Sequence, residues 1–251
     1  MAVQLSLPGK TKPYVMAHRG NKVKFPENTI SAFRQAVDDG ADIIETDLHM
    51  TSDGHFVCIH DDRVDRTTDG RGLVAEMTLS DLRTYNAANL QPDLTPEPVP
   101  TLEEFANLIP PDVGLALELK SDIFLGADIA TRLARQLDHL GVSQRSIILS
   151  FSFERLEAVR TASPNIAQGW ITLKKPWPRT GVEMLGPFWI LLLINPFYVR
   201  RAHRFGQLVC PLDPTPEARL GIYLRLGVDA VLSDNPAVTC LALSHVRNRS
   251  V

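Results

Sequence analysis

IIETDLHMTSDGHFVCIHD, residues 43–61, is the stretch whose reading decides the fold. Its first half is apolar and β-branched, which suits a strand. Glu45 and Asp47 are two residues apart, so a strand turns both carboxylates to one face. Ser52-Asp53-Gly54 makes a turn, and the segment 55–60 runs back as a second strand to His60 and Asp61. Two carboxylates on one strand face, with a histidine returned beside them, compose a metal site with an acid/base group at its edge.

Outward from this stretch, strands and helices alternate. Tyr14–Ala17 is a short apolar strand ending on His18-Arg19-Gly20. Asn28 reads as the cap of a helix whose Ile30, Phe33, Ala36 and Val37 recur at helical spacing. On the far side, residues 50–100 break the rhythm, with four prolines between Gln91 and Pro100. They read as an inserted excursion, too poor in apolar residues to form a domain of its own. Strands then follow at 114–119, 146–150, 166–170, 189–194, 207–212 and 228–233, each trailed by a helix or a helix-sized gap. Within that series 174–186 reads as irregular with a poor helix, and the run Phe188–Ile194, FWILLLI, as a strand buried on both faces. Eight such units predict a parallel (β/α)8 TIM barrel of one domain, residues 1–251, with a small insertion after strand 2. No Gly-rich phosphate loop supports an open doubly wound sheet.

Composition removes several classes of function. A net charge of −3 argues against a nucleic-acid binder. Cys58, Cys210 and Cys240 are scattered, without the spacing of a zinc site or a disulfide framework, which predicts a reducing, cytoplasmic setting. The opening residues carry no basic region followed by a long apolar core, so no signal peptide is expected. The longest apolar run falls far below the roughly 20 residues of a membrane helix, so no transmembrane segment is expected.

A barrel gathers its chemistry at the C-terminal ends of its strands. The polar residues there are His18 and Arg19, Glu45 and Asp47, and Glu118 and Lys120, with His60 returning from the excursion. Three carboxylates in an apolar mouth either rise in pKa or enclose a cation. An all-oxygen ligand set favours Mg²⁺ or Ca²⁺ over zinc. Arg19 and Lys120 suit a phosphate bridging to that cation. Two histidines can divide general-acid and general-base work. Together these groups predict metal-assisted cleavage of a phosphate ester. Beside them, His49 shares the face of Asp47, and Glu27 could orient Arg19 or a histidine. Asp61 reads as a cap or an orienting group, Asp234 as a helix cap or a supporting group. His139, His203 and His245 read as helix-surface residues.

The chain resembles the glycerophosphodiester phosphodiesterases. The resemblance is carried by HRG at 18–20, PENT at 26–29, E-x-D at 45–47 and TSDGHFVCIHD at 51–61. RTTDGRG at 66–72, E-x-K at 118–120 and GVDAVLSDNP at 227–236 complete it. It implies a TIM barrel with an insertion after strand 2 and one divalent cation, Mg²⁺ or Ca²⁺, on Glu45, Asp47 and Glu118. It implies His18 and His60 as the acid/base pair, Arg19 and Lys120 at the phosphate, and a small glycerophosphodiester as substrate. The products implied are an alcohol and glycerol 3-phosphate. Phospholipase C- or D-like cleavage of (lyso)phospholipid headgroups is the alternative on the same barrel. It calls for a membrane-binding surface, and no basic amphipathic helix is evident. Many members carry a Trp in strand 7 where this chain has Cys210.

Overall fold

The computed structural model describes residues 7, 9–88 and 93–248. The opening residues read above as lacking a leader lie mostly outside the described residues, as do positions 91–92 of the proline-rich loop.

The strands are β1 (Tyr14–Ala17), β2 (Ile43–Met50), β3 (Phe56–Cys58), β4 (Gly114–Leu119), β5 (Ser146–Ser150), β6 (Ala167–Thr172), β7 (Met184–Pro187), β8 (Leu208–Val209) and β9 (Ala230–Ser233). The helices are α1 (Ile30–Asp38), α2 (Leu79–Leu82), α3 (Leu102–Leu108), α4 (Ala127–His139), α5 (Phe153–Ala162), α6 (Ile190–Ile194), α7 (Tyr198–Arg204), α8 (Leu220–Leu226) and α9 (Pro236–Asn248). Eight parallel strands run in the order β8-β7-β6-β5-β4-β2-β1-β9, with β3 antiparallel on β2. This is a nearly closed (β/α)8 barrel. Asp229 spans the remaining seam: its N–H donates to the Val209 carbonyl at 2.9 Å, and its carboxylate accepts from the Val209 N–H at 2.9 Å.

Two apolar cores follow from the alternation of strand side chains. Inside the barrel lie Met16, Ile43, Ala116, Ile147, Leu149, Ile171, Met184, Leu208 and Leu232. Between strands and helices lie Ile44, Leu48, Leu117, Ile148 and Val231, packed against Phe33, Phe105, Leu133 and Leu156. The excursion closes over a small cluster of its own, Val57, Ile59, Val64, Val74, Leu82, Ala87 and Val99. Thr78 and Thr101 each begin a helix with a reciprocal capping box.

Three expectations are corrected. Residues 189–194 are not a strand: Ile190–Ile194 is the helix α6. The sixth parallel strand is Met184–Pro187, and no helix stands between it and β6. A short run of uniformly apolar residues has no period, so it fits a buried strand and a helix equally. Met-Leu-Gly-Pro in turn carries a weak strand signal, yet its register with β6 and β8 is regular. Asn28 does not cap α1 either. Thr29 does, its side chain accepting from the Ala32 N–H at 3.2 Å.

Candidate active site

The register of β2 on β4 pairs Asp47 with Glu118 and Glu45 with Ala116. Neighbours in a parallel ladder share a face, so three acids converge inside the mouth. Oxygens of Glu45, Asp47 and Glu118 lie within 4.8 Å of one another, and all three residues are buried. Burial pushes the Glu45 carboxyl well above its ordinary value, and the charges of Asp47 and Glu118 push it further. Burial, then Asp47, raises Glu118 as well. Asp47 also meets the burial penalty, but Arg19 and Lys120 outweigh it and hold its carboxyl below the usual value. The Asp47 Oδ1 atom is buried without a hydrogen bond. Lys120 Nζ stands 3.5 Å from it and 2.9 Å from Glu118 Oε1. A cluster of mutually repelling acids with an orphaned carboxylate oxygen fits a metal ion.

The turn after β1 supplies the opposite wall. Arg19 has a left-handed backbone, φ 59°, which aims its N–H at Glu45 Oε2, 2.9 Å away. A non-glycine residue pays for that conformation. Gly20 follows at φ 78° and lies against α1, where a Cβ would stand 2.6 Å from the Ala32 carbonyl carbon. The Arg19 side chain reaches Glu27 at 3.1 Å and Asp47 Oδ2 at 3.0 Å.

Each candidate histidine is held at Nδ1 by a carboxylate. His18 Nδ1 is 2.8 Å from Asp234 Oδ1, which Lys22 also approaches at 3.1 Å. Burial lowers the His18 pKa, and the Asp234 hydrogen bond only partly offsets this. His60 Nδ1 is 2.6 Å from Asp61 Oδ1. A hydrogen bond from Arg66 is the largest cause holding the Asp61 carboxyl down at about 2. Arg66 also binds Glu27 at 2.7 Å, so His60, Asp61, Arg66, Glu27, Arg19 and Asp47 form one chain of contacts. These Nδ1 contacts leave each ring's Nε2 for other partners.

All seven residues singled out from the sequence therefore meet at this mouth. Asp234 stands as the partner of His18, the supporting role rather than a cap. Glu27 does orient Arg19. His49 is buried, with Nε2 3.1 Å from the His60 carbonyl, and so braces the returning segment. Asn28 and Lys22 went unrecognised. Asn28 is also left-handed, φ 57°, and its side-chain amide donates to Asp47 Oδ2 at 2.9 Å while the amide oxygen, Oδ1, accepts from the Thr46 hydroxyl at 2.7 Å. Its place beside Glu27 in PENT was the available signal, obscured by the preference of Asn for helix caps. His203 lies on α7 and binds Asp229 Oδ2 at 2.8 Å, on the barrel seam.

The opposite half of the mouth differs. Leu149, Ile171, Gly186, Cys210, Leu212 and Leu232 line an apolar recess there.

Residues 18–238 match the model of the "Glycerophosphoryl diester phosphodiesterase family". The chain belongs to this family. It is 34% identical over 233 residues to the glycerophosphodiester phosphodiesterase of Caldanaerobacter subterraneus subsp. tengcongensis, covering 90% of this chain and 95% of that one. It is 29% identical over 238 residues to the glycerophosphodiester phosphodiesterase of Bacillus altitudinis, covering 88% and 94%. Among solved structures, an Oleispira antarctica phosphodiesterase in complex with the product sn-glycerol-3-phosphate matches with TM-score 0.79 and 26% identity, covering 92% of this chain and 97% of that one. A putative glycerophosphoryl diester phosphodiesterase from Silicibacter pomeroyi DSS-3 shares the fold, with TM-score 0.82, 24% identity and 98% coverage of both chains. The protein is thus a phosphoric diester hydrolase, in a family that hydrolyses glycerophosphodiesters.

Proposed function

We propose that the protein hydrolyses glycerophosphodiesters to an alcohol and glycerol 3-phosphate, using one divalent cation and two histidines. The observation that carries this reading is the buried acidic triad with its orphaned Asp47 oxygen, flanked by two histidines each tied to a carboxylate. Glu45, Asp47 and Glu118 would hold Mg²⁺ or Ca²⁺, the hard cations that an all-oxygen set prefers. When bound, the cation polarises a phosphoryl oxygen and neutralises charge developing there. Arg19 and Lys120, at the edge of the triad, offer the phosphate a planar fork and a point charge. The product-bound Oleispira relative supports a glycerol phosphate at the mouth.

The neighbouring glycerol hydroxyl attacks phosphorus. Its proton passes to Nε2 of His18, whose pKa burial lowers. The bond from phosphorus to the leaving alcohol breaks, and His60 delivers a proton to that oxygen. Water then opens the cyclic phosphate with the two roles reversed. Asp234 and Asp61 fix the ring orientations, so that neither histidine must reorganise during transfer.

Residues 1–251 act as one catalytic domain, with the excursion at about 50–100 carrying His60 into the mouth. The substrate is a small glycerophosphodiester and nucleic acid is not a partner, in keeping with the net charge of −3. Three free thiols accord with a cytoplasmic setting. The test is release of glycerol 3-phosphate from glycerophosphocholine and glycerophosphoethanolamine with Mg²⁺, with Ca²⁺ and with EDTA. Metal-dependent release that disappears in His18→Ala and His60→Ala is expected; no release with either metal would remove the reading.

A further inference from the structure

Residues 173–206 carry six Lys/Arg and one acid, in a chain whose net charge is −3. The acid, Glu183, is paired with Arg160. Lys174, Lys175, Arg179, Arg200, Arg201 and Arg204 are all exposed, and among the described residues none has an ion-pair partner. Large apolar side chains stand among them: Trp177 is 58% exposed, Ile194 66% and Phe197 68%. Leu173, Leu193 and Phe205 are about half-exposed. Scattered exposed apolar residues are ordinary, but an apolar patch rimmed by one sign of charge marks an interaction surface.

The backbone beneath this patch is firmly held. In α6, Leu191 and Leu192 pack inward while Ile190, Leu193 and Ile194 face out. The buried Asn195 donates to the Pro176 carbonyl at 2.7 Å, locking the β6–β7 loop to the segment after α6. The Arg201 guanidinium lies 5.6 Å from the centre of the Trp177 ring. Leu173 directly follows the C-terminal end of β6, and α6 directly follows that of β7. The patch therefore starts on the rim of the active-site mouth, beside the apolar recess, and continues down the outside along α7.

We propose that this rim docks on an anionic phospholipid bilayer. Its chemistry complements that surface: aromatic and aliphatic side chains enter the headgroup boundary while Lys and Arg meet anionic lipid. Trp, the most exposed large aromatic here besides Phe197, favours that interface. A protein partner would need acids placed opposite these cations, whereas a bilayer offers a continuous negative field to Arg200, Arg201 and Arg204, which line one surface with Trp177, Phe197 and Phe205. The missing helix between β6 and β7 leaves this side of the barrel to a loop that carries Leu173 and Trp177 among Lys174, Lys175 and Arg179, which the bilayer covers.

Cosedimentation with vesicles tests this without relying on the hydrolase reading. Binding is expected to vesicles of phosphatidylcholine with phosphatidylglycerol, to weaken with added NaCl, and to be marginal on phosphatidylcholine alone. Trp emission should shift to the blue on binding, and Trp177→Phe should abolish the shift. Arg200→Gln should lower partitioning about fivefold, since each basic residue near the surface contributes about that factor. The double variant Ile194→Asp, Phe197→Asp should abolish binding while its melting midpoint and its hydrolysis of dissolved glycerophosphocholine stay unchanged. No binding to anionic vesicles, or equal binding to neutral ones, overturns the proposal. So does light scattering that shows a dimer dissociated by the double variant. A chain that binds vesicles yet hydrolyses no glycerophosphodiester keeps the surface and loses the reaction.

Discussion

The two halves of the barrel mouth are built on opposite principles. Strands β1, β2, β4 and β9 end in charged residues that meet through buried contacts: Glu45, Asp47, Glu118, Arg19, Lys120, and His18 on Asp234. At and just beyond the ends of strands β5 to β8, Leu149, Ile171, Gly186, Cys210 and Leu212 line the apolar recess, which Leu232 of β9 completes from below Asp234's strand end. The charged half is strained and mutually dependent, with left-handed Arg19 and Asn28 and a carboxylate oxygen that no donor satisfies. The apolar half is ordinary core that happens to reach the surface. The difference teaches that one closed ring can gather its buried charges on one side while the other side keeps the apolar character of the barrel core.

Mutations can break this division, and the largest effect lies on the charged side. His60→Ala should lower kcat about 10²- to 10⁴-fold, the range for a positioned acid or base, in steady-state assays of glycerol 3-phosphate release. Asn28→Ala should cost about 10- to 100-fold, as groups that orient metal ligands do, because Asp47 loses a donor at 2.9 Å. Asn28→Gly should not restore activity, since it relieves the backbone and still lacks the amide; recovery in Gly would assign Asn28 a purely conformational role.

Charge repulsion in the triad sets a pH test. Burial and neighbouring acids raise the Glu45 and Glu118 carboxyls above their unfolded values. Between those values the folded chain holds more protons than the unfolded one, so stability falls as pH rises. In EDTA the melting midpoint should decline as pH rises from the ordinary carboxylate range upward. Asp47, whose carboxyl is depressed, acts only below that range, where stability falls as pH drops. Mg²⁺ or Ca²⁺ should flatten the decline, and so should Glu45→Gln. A midpoint indifferent to EDTA and pH over this range would mean that the triad carries no such tension.

The smallest effect belongs to the apolar half. Cys210→Ser buries a hydroxyl with few partners and should cost about 1–3 kcal/mol of stability, read by denaturant melts, while kcat stays within a few-fold of the parent chain. A large loss of kcat would place Cys210 with the charged half and erase the division.

Much of the fold was legible because strand and helix periods are local. β2 announced itself through its apolar, β-branched residues around Glu45 and Asp47, and α1 through Ile30, Phe33, Ala36 and Val37. FWILLLI failed because it has no period, and Met184–Pro187 failed because Gly and Pro mask a strand that only its neighbours' ladders sustain. At the site, the residues at strand ends could be named, since a barrel brings those ends together whatever lies between them. Their supporting partners were harder. Asp234 lies 216 residues from His18, and no local pattern distinguishes a carboxylate that caps a helix from one that holds an imidazole.

The sequence by itself determined the alternation of strands and helices, the family, and the acids, bases and cations of the mouth. Those properties reside in residue type and short spacing. Tertiary structure alone decided that Asn28 turns left-handed onto Asp47, that Arg66 links His60 to Arg19 through Glu27, and that one apolar run becomes a half-exposed helix on the rim. These outcomes depend on which surfaces the closed barrel has already filled, a condition set by the whole chain at once.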